Sequence, residues 1–253
     1  MSGQNPFRTG SKKRLDVLLV ERGLAETRSQ AQALVLAGRV RGHTKAGEQV
    51  DESADLEVAL GARFVSRGGE KLAGALQELG IDVTGEDCLD VGASTGGFTD
   101  CLLQAGAARV IALDVGYGQL HPKLREDPRV TVLERTNVRT LSCDDLPFRP
   151  TFIACDVSFI GLAKALPPAL ACGARGWRAL VLVKPQFEAG PADVGKGGVV
   201  RDPDVHRRVV DEVVARAPDW GARALGVAES PVRGPRGNRE FFVQLADAGG
   251  EPA

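Results

Sequence analysis

The chain has 253 residues, of which 43% are hydrophobic and 26% charged, a composition that excludes a disordered or fibrous protein. Its net charge of −1 is unevenly divided, because residues 1–47 carry nine Lys/Arg against three Asp/Glu. This division indicates that one module meets a polyanion, although a solvated basic face would give the same charge.

The first 60 residues are predicted to form a small module of two helices followed by short strands. Leucines surround a short first helix beginning near Leu15, and residues 29–36 have the pattern of a second helix that ends at Gly38. Three short strands bounded by turn residues are predicted at 40–42, 49–50 and 56–58. Five arginines of this basic module are candidates for contacts with such a polyanion, namely Arg14, Arg22, Arg28, Arg39 and Arg41.

From Arg63 onward, predicted strands alternate with helices, as is typical of a parallel sheet covered on both faces. The predicted strands are 87–91, 110–114, 130–133, 152–156, 179–184, 222–228 and 240–245. The predicted helices are 70–79, 98–105, 120–125, 162–170 and 203–217. A turn-rich segment separates the last two strands and permits a hairpin, so the last strand could run antiparallel to its neighbours.

The five cysteines form no C-x-x-C pair and do not cluster with the three histidines. We therefore expect reduced core thiols and neither a zinc site nor a disulfide framework. The N-terminal segment is polar and basic, and no run of about 18 apolar residues occurs, so a cytoplasmic protein that does not span a membrane is expected.

A glycine-rich turn follows the first strand of the sheet, in the segment CLDVGASTGGF at 88–98. Glycines at such a turn allow the backbone to approach a ligand beside a helix N-terminus, although a purely structural turn would look the same. Asp90 ends this strand and Asp114 ends the next one, where a carboxylate could bind ribose hydroxyls. Together they suggest a ligand with a nucleoside, such as S-adenosylmethionine or a dinucleotide.

Polar residues also end the next three strands: Asn137, Asp156 and Lys184. In an open parallel sheet these strand ends face one crevice. Lys184 closes an apolar strand and would be partly desolvated, with Asp156 near enough to orient it. The alternative is a lysine that extends to solvent, as single lysines at strand ends commonly do.

Eight sequence blocks carry a close family resemblance: VSRGGEKL, CLDVGASTGGFTD, LDVGYGQL, VLERTNVR, DVSFI, LVKPQFE, GGVVRDP and GNREFF. They resemble the TlyA family of ribosomal RNA ribose 2'-O-methyltransferases, over residues 13–245. The first 60 residues resemble an RNA-binding module shared with a small-subunit ribosomal protein and with pseudouridine synthases. The five arginines named above are therefore expected to contact RNA phosphates.

The resemblance implies an α/β fold: a Rossmann-like class I methyltransferase with a mostly parallel seven-stranded sheet, preceded by a small α+β RNA-binding domain. The expected bounds are 1–61 for the RNA-binding module, 62–68 for a linker and 69–253 for the methyltransferase. The implied catalytic tetrad is Lys71, Asp156, Lys184 and Glu240. Implied contacts with S-adenosylmethionine are Asp90, Gly92, Ala93, Ser94, Gly96, Gly97, Asp114 and Asn137.

The chemistry expected from this tetrad is removal of a proton from a weakly nucleophilic ribose hydroxyl while it is aligned with the methyl donor. Lys184 would act as the base or orient the hydroxyl, Asp156 would position Lys184, and Glu240 would hold Lys71 or the ribose. No metal is needed. The expected partners are ribosomal RNA or ribosomal subunits, with cytidine as the target nucleoside by family.

The linker departs from the family pattern, with Phe64 in place of a frequent Trp and Ala62 in place of an arginine in some members, so the role of residues 62–65 is left open. Three other functions remain as alternatives: a membrane-active haemolysin, an RNA-binding assembly factor without catalysis, and, more remotely, a nicotinamide oxidoreductase. The sequence leaves open the target nucleotide, the ribosomal subunit and the oligomeric state.

Overall fold

The computed structural model describes residues 11–36, 38–58, 62–158, 160–234 and 236–249. The chain forms two compact units, Met1–Arg63 and Phe64–Ala253. The division falls inside the segment 62–68 that the sequence suggested as a linker.

The first unit is a small α+β domain. Its elements are strand β1 (Lys12–Arg14), helices α1 (Leu15–Glu21) and α2 (Arg28–Leu36), and strand β2 (Gln49–Asp51). The two strands pair antiparallel, with Lys13 opposite Val50. Residues three or four positions apart share one face of a helix, and one such face from each helix builds the apolar core, with Leu15, Leu18, Leu19, Ala31 and Val35.

The strands of this unit differ from the prediction. Only the segment 49–50 lies in a strand, whereas Val40 and Val58 form a single antiparallel bridge. Strand β1 was not predicted, because the sequence KKR has no apolar residue to signal a half-buried strand. Its backbone becomes a strand through pairing with β2, which lies 35 or more residues further along the chain.

The second unit begins with helix α3 (Arg67–Glu78). Ser66 caps this helix by accepting a hydrogen bond from the backbone N–H of Gly68 at 3.2 Å. A Cβ at Gly69 would lie 2.2 Å from the ring of Phe64, so only glycine lets that ring pack on the first turn. The helix therefore starts three residues before the predicted position and carries Lys71 into the interior of the unit.

A seven-stranded sheet forms the centre of the second unit. Its strands are β3 (Asp87–Val91), β4 (Arg109–Leu113), β5 (Val130–Leu133), β6 (Phe152–Cys155), β7 (Arg178–Val183), β8 (Ala222–Glu229) and β9 (Phe241–Asp247). Their order across the sheet is β5-β4-β3-β6-β7-β9-β8. The first five are parallel, and β9 runs antiparallel to both β7 and β8. The predicted mostly parallel sheet with an antiparallel last strand is confirmed.

Helices cover both faces of this sheet. Besides α3 they are α4 (Gly97–Gln104), α5 (Pro122–Arg125), α6 (Leu162–Ala171), α7 (Pro185–Glu188) and α8 (Pro203–Arg216). Two apolar clusters result, one containing α6 and α8 and the other α3 and α4. Because both faces are covered, β7 reads ALVLV without polar interruption and all five of these residues are buried. No helix in the described part of the chain is long and apolar enough to cross a membrane.

The connections place a crevice beside β3. From β3 the chain proceeds outward through β4 and β5, and it then returns to add β6 and β7 on the other side. Ligands of open α/β sheets bind outside the carboxyl ends of the strands at such a reversal. The loops after β3, β4, β6 and β7 are therefore the ones expected to form a site.

The expectation of five reduced thiols is wrong for two of them. Cys143 and Cys172 form a disulfide, with their Cα atoms 4.9 Å apart. Cys143 begins a short 3-10 helix and Cys172 follows α6, so the fold joins residues that are 29 positions apart. Their spacing in the sequence does not indicate this pair. Cys88, Cys101 and Cys155 are buried thiols, as expected.

Candidate active site

The glycine turn after β3 closes tightly on the neighbouring strand. Gly92 has φ +87°, and a Cβ there would lie 2.3 Å from the backbone oxygen of Asp156. Gly96 has φ +95° and lies under the side chain of Leu124. Any larger residue at these positions would combine an unfavourable backbone conformation with a steric clash, so the glycines give the turn its shape.

Asp114 holds the end of this turn from the adjacent strand. Its Oδ2 accepts a hydrogen bond from the backbone N–H of Ser94 at 2.7 Å, and its Oδ1 accepts one from Gly116 at 2.6 Å. Each carboxylate oxygen has a second lone pair. Asp114 can therefore hold its own loop and still accept hydrogen bonds from ligand hydroxyls.

A cavity of about 490 Å³ opens over this turn. Its wall includes Gly92, Ser94, Asp114, Asn137, Asp156 and Ser158. The volume is that of a site for a small molecule or cofactor. Asn137 lies at its rim, where its side-chain oxygen accepts a hydrogen bond from the backbone N–H of Arg139 at 3.1 Å.

A second cavity, of about 350 Å³, adjoins the first. Lys71 from α3 lines it, together with Ala93 and Gly97 of the glycine turn. Gly92 and Asp156 lie on the walls of both cavities. A molecule in either cavity would therefore reach the carboxylate of Asp156.

Two lysine–carboxylate pairs lie at this border. Nζ of Lys71 contacts Oε2 of Glu240 at 2.6 Å, and these residues are 8% and 1% exposed. Lys184, also 8% exposed, pairs with Asp156. Removing one partner of a buried pair leaves an uncompensated charge, at a cost of about 3–5 kcal/mol, so each pair fixes the position of its two members.

The four residues come from well-separated parts of the chain. Lys71 lies in the second turn of α3, Asp156 follows β6, Lys184 follows β7 and Glu240 precedes β9. The fold thus brings together all four members of the expected tetrad, in two pairs.

Asp90 lies beneath the glycine turn, away from the walls of both cavities. It is fully buried and lines neither cavity, and its Oδ2 accepts hydrogen bonds from the backbone N–H and the hydroxyl of Thr99 at 2.9 and 2.6 Å. Burial, with the nearby charge of Asp156 as a smaller contribution, raises the pKa of Asp90 to about 7. Asp90 therefore braces the start of α4 beneath the turn, and neither Asp90 nor Gly96 lies on the wall of either cavity.

Two polar neighbours of the tetrad were not identified from the sequence. Ser158 accepts a hydrogen bond from Nζ of Lys184 at 2.7 Å, and Nε2 of Gln186 lies 3.4 Å from Oε1 of Glu240. Each stands two positions after a tetrad residue, which is a signal that sequence reading could have used.

The five arginines predicted to bind RNA all belong to the first unit and are exposed. Arg14 and Arg28 both donate to the buried carboxylate of Asp16, and the hydrogen bonds from Arg14 contribute most to lowering its pKa. Arg22 donates to the backbone oxygen of Ala54 at 2.5 Å.

The other two arginines differ in their pairing. Arg41 pairs with Glu57 at 2.7 Å. Arg39 has no side-chain partner among the described residues. The described part of the module therefore presents guanidinium groups in four settings: shared on a buried carboxylate, bonded to a backbone oxygen, paired with a surface carboxylate, and without a side-chain partner.

Comparisons with known proteins give a family match in each of the two units. The FtsJ-like methyltransferase family matches residues 64–246, and the S4 domain matches residues 13–41. The chain is 48% identical over 240 residues to a Mycobacterium tuberculosis protein named 16S/23S rRNA (cytidine-2'-O)-methyltransferase TlyA, a match covering 92% of this chain and 90% of that protein.

Two further relatives carry a different name. Hemolysin A of Brachyspira hyodysenteriae is 40% identical, over 92% of this chain and 99% of that protein. A solved structure from Streptococcus thermophilus, also named as a hemolysin, is 42% identical with a TM-score of 0.73, covering 95% of this chain and 90% of that one. The match with a methyltransferase family over residues 64–246, together with the 48% identity to the Mycobacterium tuberculosis protein, identifies the chain as a member of the FtsJ-like methyltransferases and, within them, of the TlyA family.

Proposed function

We propose that the chain is an S-adenosylmethionine-dependent enzyme that methylates a ribose 2'-hydroxyl in ribosomal RNA, with cytidine as the target nucleoside. The proposal rests above all on one observation: Asp156 stands at the border of two adjoining cavities, paired with Lys184. One cavity suits the methyl donor and the other suits the nucleotide that receives the methyl group.

The larger cavity fits S-adenosylmethionine. Asp114 would accept hydrogen bonds from the ribose hydroxyls, the turn at Gly92 lets the backbone approach closely, and Asn137 would contact the base or ribose from the rim. When bound, S-adenosylmethionine supplies a methyl group on a positively charged sulfur atom.

The tetrad would handle the ribose hydroxyl. This group is a weak nucleophile, so it must be aligned with the methyl group and lose its proton as the new bond forms. Lys184 is the residue we assign to the hydroxyl proton, with Asp156 holding its amine in place. Glu240 holds Lys71 on the wall of the second cavity, where the lysine can orient the incoming ribose.

The exposed arginines of the first unit would bind the RNA backbone through phosphate contacts. An S4 domain match over residues 13–41 supports this assignment, because it covers Arg14, Arg22, Arg28, Arg39 and Arg41. A ribosomal substrate would place the protein in the cytoplasm.

The test is transfer of a labelled methyl group from S-adenosylmethionine to purified small subunits, large subunits and whole ribosomes, followed by mapping of the modified residue. We expect label on the 2'-oxygen of a cytidine in at least one subunit. Label on a base nitrogen or carbon would contradict the proposal, and so would RNA binding without any transfer, which is the outcome expected of an assembly factor.

The hemolysin names of two relatives call for a parallel assay. Vesicles loaded with a fluorescent dye would be mixed with the same protein preparation. Dye release at concentrations that support methyl transfer would give the chain a second activity, whereas our account predicts none.

A further inference from the structure

Ser158 lies beside Lys184, on the wall of the larger cavity, the one to which we assign S-adenosylmethionine. It stands two residues after Asp156 in the loop that follows β6, and it is exposed on the wall of the larger cavity. Its Oγ accepts a hydrogen bond from Nζ of Lys184 at 2.7 Å. The lysine nitrogen thus has two oxygen partners, the carboxylate of Asp156 and this hydroxyl.

The number of oxygen partners of Nζ determines in which direction the remaining bonding position of this nitrogen points. The lysine nitrogen has three positions besides its bond to the side chain, arranged tetrahedrally, and in the charged form each carries an N–H group. With one position turned toward Asp156 and one toward Ser158, the third, whether N–H or lone pair, has a single remaining direction. With Asp156 alone, rotation about the last side-chain bond would carry that third position through several directions.

The other lysine of the tetrad lacks such an arrangement. Nζ of Lys71 contacts Glu240, and among the described residues no hydroxyl accepts from it. Gln186 contacts Glu240 and not the lysine. A hydroxyl partner therefore distinguishes Lys184, which we assign to the proton of the ribose hydroxyl, from Lys71, which we assign to orienting the ribose.

We propose that Ser158 is a positioning residue for methyl transfer, which fixes the direction in which Lys184 meets the ribose 2'-hydroxyl. The inference rests on the proposed function, because it presumes that Lys184 handles that hydroxyl. Ser158 acts through Lys184 and needs no contact with the ribose. Its side chain must accept a hydrogen bond, so threonine can replace it and alanine cannot.

The test is the single-turnover rate of methyl transfer to ribosomal subunits at saturating S-adenosylmethionine. Ser158→Ala is expected to lower this rate about tenfold to a hundredfold, as expected for loss of a hydrogen bond to a charged or catalytic group. The affinities for S-adenosylmethionine and for RNA should be unchanged, and Ser158→Thr should restore most of the rate. Ser142→Ala is the matched control, because it removes a serine hydroxyl that caps a 3-10 helix and lines neither cavity.

A double-mutant cycle separates positioning from a merely structural role. In a Lys184→Ala background, Ser158→Ala should cause no further loss of the residual rate, because the residue through which it acts is gone. Should Ser158→Ala prove unstable, Ser158→Cys keeps the size of the side chain with a weaker acceptor and should show a smaller loss of the same kind.

Three results would overturn the inference: a rate within about threefold of wild type for Ser158→Ala, a loss explained by weaker cofactor binding, or an equal loss in both backgrounds. If the wild-type protein methylates ribose and Lys184→Ala does not, these results would contradict the role of Ser158 alone. If the wild-type protein transfers no methyl group to ribose, the proposed function fails, and the inference fails with it.

Discussion

Lys71 and Lys184 each face a carboxylate in surroundings that exclude most of the water. In such surroundings an ion pair fixes geometry more than it adds net stability, because the desolvation of both charges offsets much of their attraction. The two pairs are therefore better understood as devices for orientation. They hold two amines beside the border between the two cavities.

Asp114 offers a test of the cofactor site. Asp114→Ala should weaken binding of S-adenosylmethionine by about 1.5–3 kcal/mol, the usual contribution of hydrogen bonds to a charged group. Titration calorimetry measures this directly. Asp127→Ala is the matched control, since Asp127 also accepts from a nearby backbone N–H but lies outside both cavities. Equal cofactor affinity in wild type and Asp114→Ala would remove Asp114 from the site.

Asp90 gives a prediction about pH. Its folded-state pKa of about 7 exceeds the ordinary value of 3.8, so between these two pH values the folded protein retains a proton that the unfolded chain has lost. The contribution of Asp90 to stability is therefore present at low pH and declines as the pH rises through about 7. Asn has the same shape and cannot ionise, so Asp90→Asn should gain stability relative to wild type as the pH rises.

Urea unfolding of both proteins at about pH 5 and about pH 8 measures this effect. The difference between Asp90→Asn and wild type should grow by about 2–3 kcal/mol in favour of the variant, because about two pH units separate pH 5 from the folded-state pKa of about 7 and each corresponds to about 1.4 kcal/mol. A constant difference across this range would show that Asp90 titrates at an ordinary pKa.

At the scale of elements, the turn from β3 to α4 determines the shape of both cavities. Gly92 allows that turn to pass within contact of the backbone at Asp156, so the two loops act as one surface. The sequence identified this turn because glycines between an apolar strand and a helix start are informative by themselves. It did not reveal that Asp90 is fully buried and bonded to Thr99, because a strand buried on both faces shows no alternation of polar and apolar residues.

In the rest of the second unit, local sequence patterns predicted the sheet and the residues at the strand ends, but not the contact between Lys71 and Glu240. The alternation of helices and strands predicted the sheet, and strand ends predicted Asp156 and Lys184. The contact between Lys71 and Glu240 joins residues 169 positions apart, and no local spacing reports such a pairing. Their joint membership of a site came from family resemblance alone.

Gly92→Ala tests the importance of the turn. The new Cβ would lie 2.3 Å from the oxygen of Asp156 at a φ of +87°, so the turn must move, and affinity for S-adenosylmethionine should fall at least about tenfold. Gly85→Ala is the matched control, with φ +74° but nothing within 4 Å of the added carbon. It should lose some stability and keep its cofactor affinity, as melting curves and calorimetry would show. Equal cofactor affinities in the two variants would contradict this account of the turn.

At the scale of the whole molecule, the two units differ in the groups that they present. The first unit supplies exposed arginines, and the second supplies the cavities and the two lysine–carboxylate pairs. The uneven charge of the sequence by itself predicts a basic module at the N-terminal end. What charge alone could not show is that Arg14 and Arg28 share a buried carboxylate, so that replacing either would disturb the fold of the module as well as its surface.

Arg39 and Arg41 are the better choice for testing RNA binding, because neither supports the core. Arg39→Ala with Arg41→Ala should weaken binding to ribosomal RNA and reduce the slope of log Kd against log salt concentration by about two, one for each lost phosphate contact. Cofactor affinity should not change. The matched control replaces Arg207 and Arg216, two exposed arginines of α8. An unchanged salt slope in the first variant would mean that these arginines do not contact phosphates.

The most direct test of the central claim is the single-turnover rate of Lys184→Ala with saturating S-adenosylmethionine and ribosomal substrate, on protein whose melting curve matches wild type. The account predicts a loss of about 100-fold to 10,000-fold, the usual contribution of a positioned group that handles a proton, with cofactor and RNA affinities retained. Lys184→Arg should not restore the rate, because a guanidinium does not give up its proton and has a different shape. A rate within a few-fold of wild type for Lys184→Ala would contradict the assignment and shift it to Lys71.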